Sequence, residues 1–205
     1  MFKIIFKELK EHGPFTFYGA VFGIALMAVL QKFSLLGSEQ AGPIFEVLHP
    51  LHVLLSALVT SAMYQHHNCC HDKKRCRVPV LLVVGFSGSV GIATLSDCLI
   101  PYWGELLLGM EHAHMHLGII ETPLAVLLAA SVGIIIAMQK PVTKFPHAGH
   151  VLLSTAATLF HILRASGAVL SAADYAALTL FLFIAVWLPC CVSDIVFPLL
   201  FSSDK

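Results

Sequence analysis

His52-Val53-Leu54-Leu55-Ser56-Ala57 has a near-copy in the same chain, His150-Val151-Leu152-Leu153-Ser154-Thr155. A second shared pattern follows each copy: Ser96-Asp97-Cys98-Leu99-Ile100-Pro101 in the first half, Ser193-Asp194-Ile195-Val196-Phe197-Pro198 in the second. Histidine and aspartate are 45 residues apart in one half and 44 in the other. Two patterns recurring in one order at one spacing point to internal duplication. Each half thus brings an imidazole, a hydroxyl and a carboxylate into apolar sequence.

How apolar that sequence is decides the class. Of 205 residues, 58% are hydrophobic and 12% charged, and the mean hydropathy is +0.85. Soluble domains carry about 25% charged residues, so too little charge remains here to cover a water-facing surface. The chain reads as one integral membrane domain, residues 1–205. Its zero net charge leaves no basic footprint for nucleic acid. Cys69, Cys70, Cys76, Cys98, Cys190 and Cys191 include two adjacent pairs and form no secreted disulfide framework. Met1 to Lys10 mixes charged with apolar residues and lacks the apolar core of a cleavable signal peptide. It is expected to lie on the membrane surface as an amphipathic helix.

About 20 mostly apolar residues span a bilayer. Six stretches qualify: Phe15–Phe33, Pro43–Met63, Val78–Ile100, Leu117–Met138, Val151–Leu163 extended back through His147, and Ala173–Phe201. With the N-terminus inside, ten Lys and Arg fall on inner segments; only Lys32 and Arg164 fall outside. That asymmetry orients a plasma-membrane (bacterial inner-membrane) protein with both termini cytoplasmic. The halves, about 12–104 and 111–201, hold three spans each, so the second must cross upside down. The expected fold is therefore all-α: a polytopic membrane protein whose six transmembrane helices form two inverted three-helix repeats. Secondary transporters recur in this form, with the ligand site near the repeat interface. The layout is similar to that of small bacterial metal exporters, without their signature motifs.

Glu46, His49, His52 and Ser56 follow helical spacings of 3, 3 and 4 and are expected on one face. At about 1.5 Å per residue, His52 should lie level with Asp97 in the outer half. His147, His150, Ser154 and Asp194 form the matching group, expected in the inner half. A carboxylate in hydrocarbon must be paired or hydrated, and imidazole with carboxylate suits zinc, iron, nickel and related ions. The expected ligands are His49, His52, Asp97, His147, His150 and Asp194, supported by Glu46, Ser56 and Ser154. Outside, Met110-Glu111-His112-Ala113-His114-Met115-His116 with Glu121 reads as a capture segment. Inside, His66, His67, Cys69, Cys70, His71 and Cys76 offer softer donors with no zinc-finger spacing.

The sequence thus predicts a transporter of a divalent transition metal, zinc first, in which proton coupling is open to ligands that bind deprotonated. Its partners would be the ion, membrane lipid and, compatibly, a second copy of the chain. Two rivals stand beside it. One is an intramembrane zinc-dependent lipid hydrolase, similar in residue types alone. The other, disfavoured, is a b-type haem protein, since His52/His66 and His147/His161 are each 14 apart. That reading pairs His52 with His161 and His66 with His147, and treats both aspartates as accidental.

Overall fold

Long apolar runs can satisfy their backbone N–H and C=O groups without water only as helices or closed barrels. This chain takes the first course. The computed structural model describes residues 2–33, 35, 37–68, 77–141, 144–166, 170–192 and 196–201, and these contain helices and no strand. We number the helices α1 (Phe2–Lys32), α2 (Ser38–Asn68), α3 (Val78–Leu107), α4 (Gly118–Glu121), α5 (Pro123–Gln139), α6 (Lys144–Ala165), α7 (Ala172–Cys191) and α8 (Phe197–Leu200).

Among the described residues, four segments are long and apolar enough to cross a membrane: Gly13–Lys32, Ser38–Asn68, Val78–Leu107 and Ala172–Cys190. The other two expected spans differ for distinct reasons. The expected Leu117–Met138 helix is broken at Thr122 (φ −130°, ψ 56°), leaving α5 with 17 residues. Thr122 precedes Pro123, whose ring pushes the residue before it out of the helical region. In α6 the apolar run is interrupted by His150, His161 and Arg164; both histidines are buried against neighbouring helices. At the N-terminus, the expected separate surface helix is instead continuous with the first span, because α1 runs unbroken from Phe2 to Lys32.

Helix α2 is the centre of the bundle, packed along its length between α5 and α6. α1 lies against α6 and α7, while α3 contacts α2, α5 and α7. Gln31, near the end of α1, donates to Ser166 Oγ (2.6 Å) and accepts from the Tyr175 hydroxyl (2.7 Å), tying three helices together. Ser171 and Asp174 form a reciprocal capping box that starts α7.

α2 and α5 cross at close range. A Cβ on Gly133 would stand 2.2 Å from the Leu54 carbonyl oxygen and 3.1 Å from the Leu58 nitrogen. Small residues let membrane helices approach backbone to backbone. Gly133→Leu should therefore force α2 and α5 apart and destabilise the protein by about 1–3 kcal/mol or more. Thermal unfolding in detergent, with Gly91→Ala beside it, checks this. Nothing lies within 4 Å of a Cβ at Gly91, so only the Gly133 variant should melt early; equal melting would contradict the packing.

Helix α3 departs twice from regular α geometry, at the π turns Ser87–Gly91 and Leu95–Leu99. A π turn inserts an extra residue into the helix and recurs at functional sites. The second holds Ser96 and Asp97, both fully buried.

Candidate metal centre

Asp97 is held from both sides. Its Oδ2 takes His49 Nδ1 at 2.9 Å and His52 Nδ1 at 2.6 Å; its Oδ1 accepts the Ser96 hydroxyl at 2.7 Å and the Ser154 hydroxyl at 3.0 Å. The histidines, three apart on α2, project together onto α3, and Ser154 reaches in from α6. A carboxylate has about four lone-pair sites, and four donors fill them. Oriented this way, both imidazoles carry their proton on Nδ1, because only an N–H can bond a carboxylate. In the neutral form of each ring, Nε2 is then the acceptor. Each is buried and has no hydrogen-bond partner.

Two donor groups result, both containing His52. His49, His52 and Asp97 bring one ligand atom each within 4.8 Å of one another, as do His52, His150 and Cys190. The His52 and His150 rings stack at 4.6 Å and 20°, and His147 stands 6.2 Å from His150 in an edge-on contact. His52 lies 14 residues from one end of α2 and 16 from the other, so the group sits midway along the central helix.

This geometry revises several expectations. His52 and His150, expected at opposite depths, touch, and Ser154 bonds Asp97. Asp97 accepts four hydrogen bonds that orient both imidazoles, and one of its oxygens stays within 4.8 Å of ligand atoms on His49 and His52. Glu46 is exposed at the edge of the buried stripe; Ser56 is buried on it, one turn beyond His52. In the outer segment His112 and His114 are exposed, with the His114 ring 6.2 Å from that of His116. His116 Nδ1 pairs with Glu121 at 2.7 Å. None of these three reaches the Asp97 cluster. Asp194, and the inner Cys69, Cys70, His71 and Cys76, lie outside the described residues.

Sequence reasoning missed Cys190 and the part played by Ser96. Cys190 is four residues before Asp194, one helical turn, and that spacing would have flagged it. The rival pairings also find a different geometry. His161 Nδ1 bonds Glu105 at 2.8 Å instead of facing His52, and His66 is exposed. A nucleophilic triad needs its serine proton directed at an imidazole. Ser96 and Ser154 instead direct theirs to the Asp97 carboxylate.

Gly118 makes the His49 position tight. A Cβ there would stand 2.2 Å from His49 Cδ2 and 2.6 Å from Nε2, so glycine alone leaves that nitrogen open. Gly118→Ala should displace the ring, and a metal ion held through that nitrogen would bind about tenfold more weakly, the lower end for a disturbed metal support. Zinc titration of the purified variant checks it, and an unchanged affinity would show that His49 Nε2 takes no part.

No protein-family model, no curated protein and no solved structure matches the chain. The class described by fold and site is an all-helical protein, compatible with membrane insertion, with His/Asp/Cys groups in its core.

Proposed function

We propose that the chain transports a divalent transition-metal cation, zinc by preference, across a plasma-type membrane. The observation that carries this reading is the pair of buried, partner-free Nε2 atoms on imidazoles fixed by one saturated carboxylate. Such carboxylate–histidine pairs orient metal ligands and raise their basicity, and a neutral site of this kind would leave two buried acceptors unsatisfied at a cost. Cys190 and His150 supply further donors beside His52.

Charge favours a dication. Asp97 provides one negative charge, and Cys190 a second once its thiol proton leaves on binding. A 2+ ion then leaves the buried centre neutral, which avoids an uncompensated charge in low dielectric. Imidazole with thiolate suits zinc better than manganese or magnesium.

The packing supports six crossings in two inverted repeats: α1 sits on α6 and α7, while α5 sits on α2 and α3, the exchange that a two-fold axis in the membrane plane would make. The sequence match of His150 and Asp194 to His52 and Asp97 extends the reading to Asp194. Both termini are cytoplasmic on the lysine and arginine distribution. The test is zinc flux into proteoliposomes holding a zinc-sensitive dye. Saturable flux with wild-type protein that Asp97→Ala abolishes is the expected result; wild-type vesicles no leakier than protein-free ones would overturn it.

A further inference from the structure

Glu105, eight residues beyond Asp97 on α3, is a second buried carboxylate with a different balance of charge. It is 0% exposed and its partner His161 1%, with Oε1 on Nδ1 at 2.8 Å. Glu105 Oε2 and His161 Nε2 are both buried without hydrogen-bond partners. Around Asp97 an ion can supply positive charge, because ligand atoms of three residues converge there. Among the described residues, neither Glu105 nor His161 belongs to a convergent donor group, so no metal ion balances this pair. His161 is also the one ion-pair partner of Glu105 among those residues.

The surrounding elements bring no cation to it. On α2, Phe45 stands between the pair and His49, edge-on to His161 at 5.3 Å and stacked on His49 at 5.4 Å. Arg164 of α6 has its Nη1 4.0 Å from Glu121 Oε2. On α3 itself, Cys98 and Asp97 carry no positive charge. On α7, Phe181 packs at Gly104 beside Glu105, and the Tyr175 hydroxyl is bonded to Gln31. An ionised Glu105 with a neutral His161 is therefore one uncompensated negative charge in the core, which is costly. One proton removes that charge, whether oxygen or nitrogen holds it. A second would make the pair a buried cation, at a like cost. His116 offers the way in: its Nδ1 is on Glu121 and its ring stands 5.8 Å from that of His161. His116 is 19% exposed and Glu121 33%, so the chain of groups runs from the surface into the core.

We propose that Glu105 and His161 jointly bind a single proton, exchanged with water through His116 and Glu121 and distinct from the protons that metal ligands give up. The proton comes from water, forms one O–H or N–H bond within the pair, and takes it from one negative charge to none. It leaves to water by the same groups. Eight residues correspond to about 12 Å along a helix, so a dication at the Asp97 centre repels this proton, and by linkage the proton weakens the dication. That coupling rests on the transport reading; the proton binding does not.

The experiment counts protons taken up between mildly alkaline and mildly acid solution by the metal-free full chain in detergent, each variant first checked for folding. Glu105→Gln should take up one proton fewer than wild type. Adding His161→Gln should lose no further proton, because the two residues hold one between them. An unchanged count in Glu105→Gln would overturn the proposal, and so would two protons lost in the double variant, the mark of independent groups. Should Glu105→Gln fail to fold, His161→Gln replaces it and should also take up one fewer, since a lone buried carboxyl stays neutral throughout; an unchanged count there would overturn the proposal. His116→Ala should keep the count but slow uptake after a pH jump by about a hundredfold, the lower end for a positioned proton-transfer group; an unchanged rate would overturn the route. Expected counts in a protein that moves no zinc would uphold the proton site and sink the transport reading, while zinc flux with unchanged counts would do the reverse.

Discussion

Replacing Asp97 with alanine should lower zinc affinity by about 10- to 100-fold, the range for removing a carboxylate that orients metal-bound histidines, and should stop flux altogether. Four donors converge on this group, from α2, α3 and α6. Without it, His49 and His52 lose the acceptor that fixes their protons on Nδ1, and either nitrogen can then carry the proton. Two buried N–H groups lose their acceptor, at about 1–3 kcal/mol each for an unsatisfied buried group, while the Ser96 hydroxyl keeps the Ala93 carbonyl at 3.3 Å and Ser154 keeps Ser96 Oγ at 3.4 Å. Asp97→Asn is the sharper comparison, since its amide keeps the volume but presents donors to donors. Titration of zinc into both variants, with a melting curve to establish folding, separates lost binding from lost structure. Wild-type affinity in a folded Asp97→Asn protein would refute the orienting role.

Cys190→Ser should change which ions bind. The thiol is fully buried beside His52 and His150, and only as thiolate does it complete charge neutrality around a dication. Serine keeps the shape but does not ionise, so one negative charge and the soft donor are both lost. Zinc and cadmium should weaken by at least about tenfold, since thiolates select such ions, while manganese, which prefers oxygen donors, should change little. Protons released per zinc bound in weakly buffered solution should fall by one. Equal losses for all three metals would mean that the substitution disturbs packing and that sulfur is no ligand.

Much of this centre was legible because the chain repeats itself. His52, Ser154 and Asp97 lie in motifs that recur at matched spacing, and His49 follows from helical periodicity. What the sequence hid is how many donors a carboxylate receives, because Ser96, Ser154, His49 and His52 come from three helices. Read alone, Asp97 is a ligand; the structure adds the four donors that converge on it. The expected separation in depth failed for a related reason. Packing of α6 along α2 brings the His52 and His150 rings into a stack. The pairing of Glu105 with His161 escaped notice because neither lies in the duplicated motifs and 56 residues separate them. Helix limits were less legible where backbone chemistry intervened, at Thr122 before Pro123 and in the π turns of α3.

The atoms that surround a bound ion decide between sulfur and oxygen ligation. X-ray absorption at the zinc edge, on Asp97-dependent zinc held by the purified full-length protein, measures that directly. Imidazole nitrogens at about 2.0–2.1 Å with one sulfur at about 2.3 Å are the predicted shell, and the sulfur should vanish in Cys190→Ser. A shell of oxygens alone, or no zinc that depends on Asp97, would contradict it.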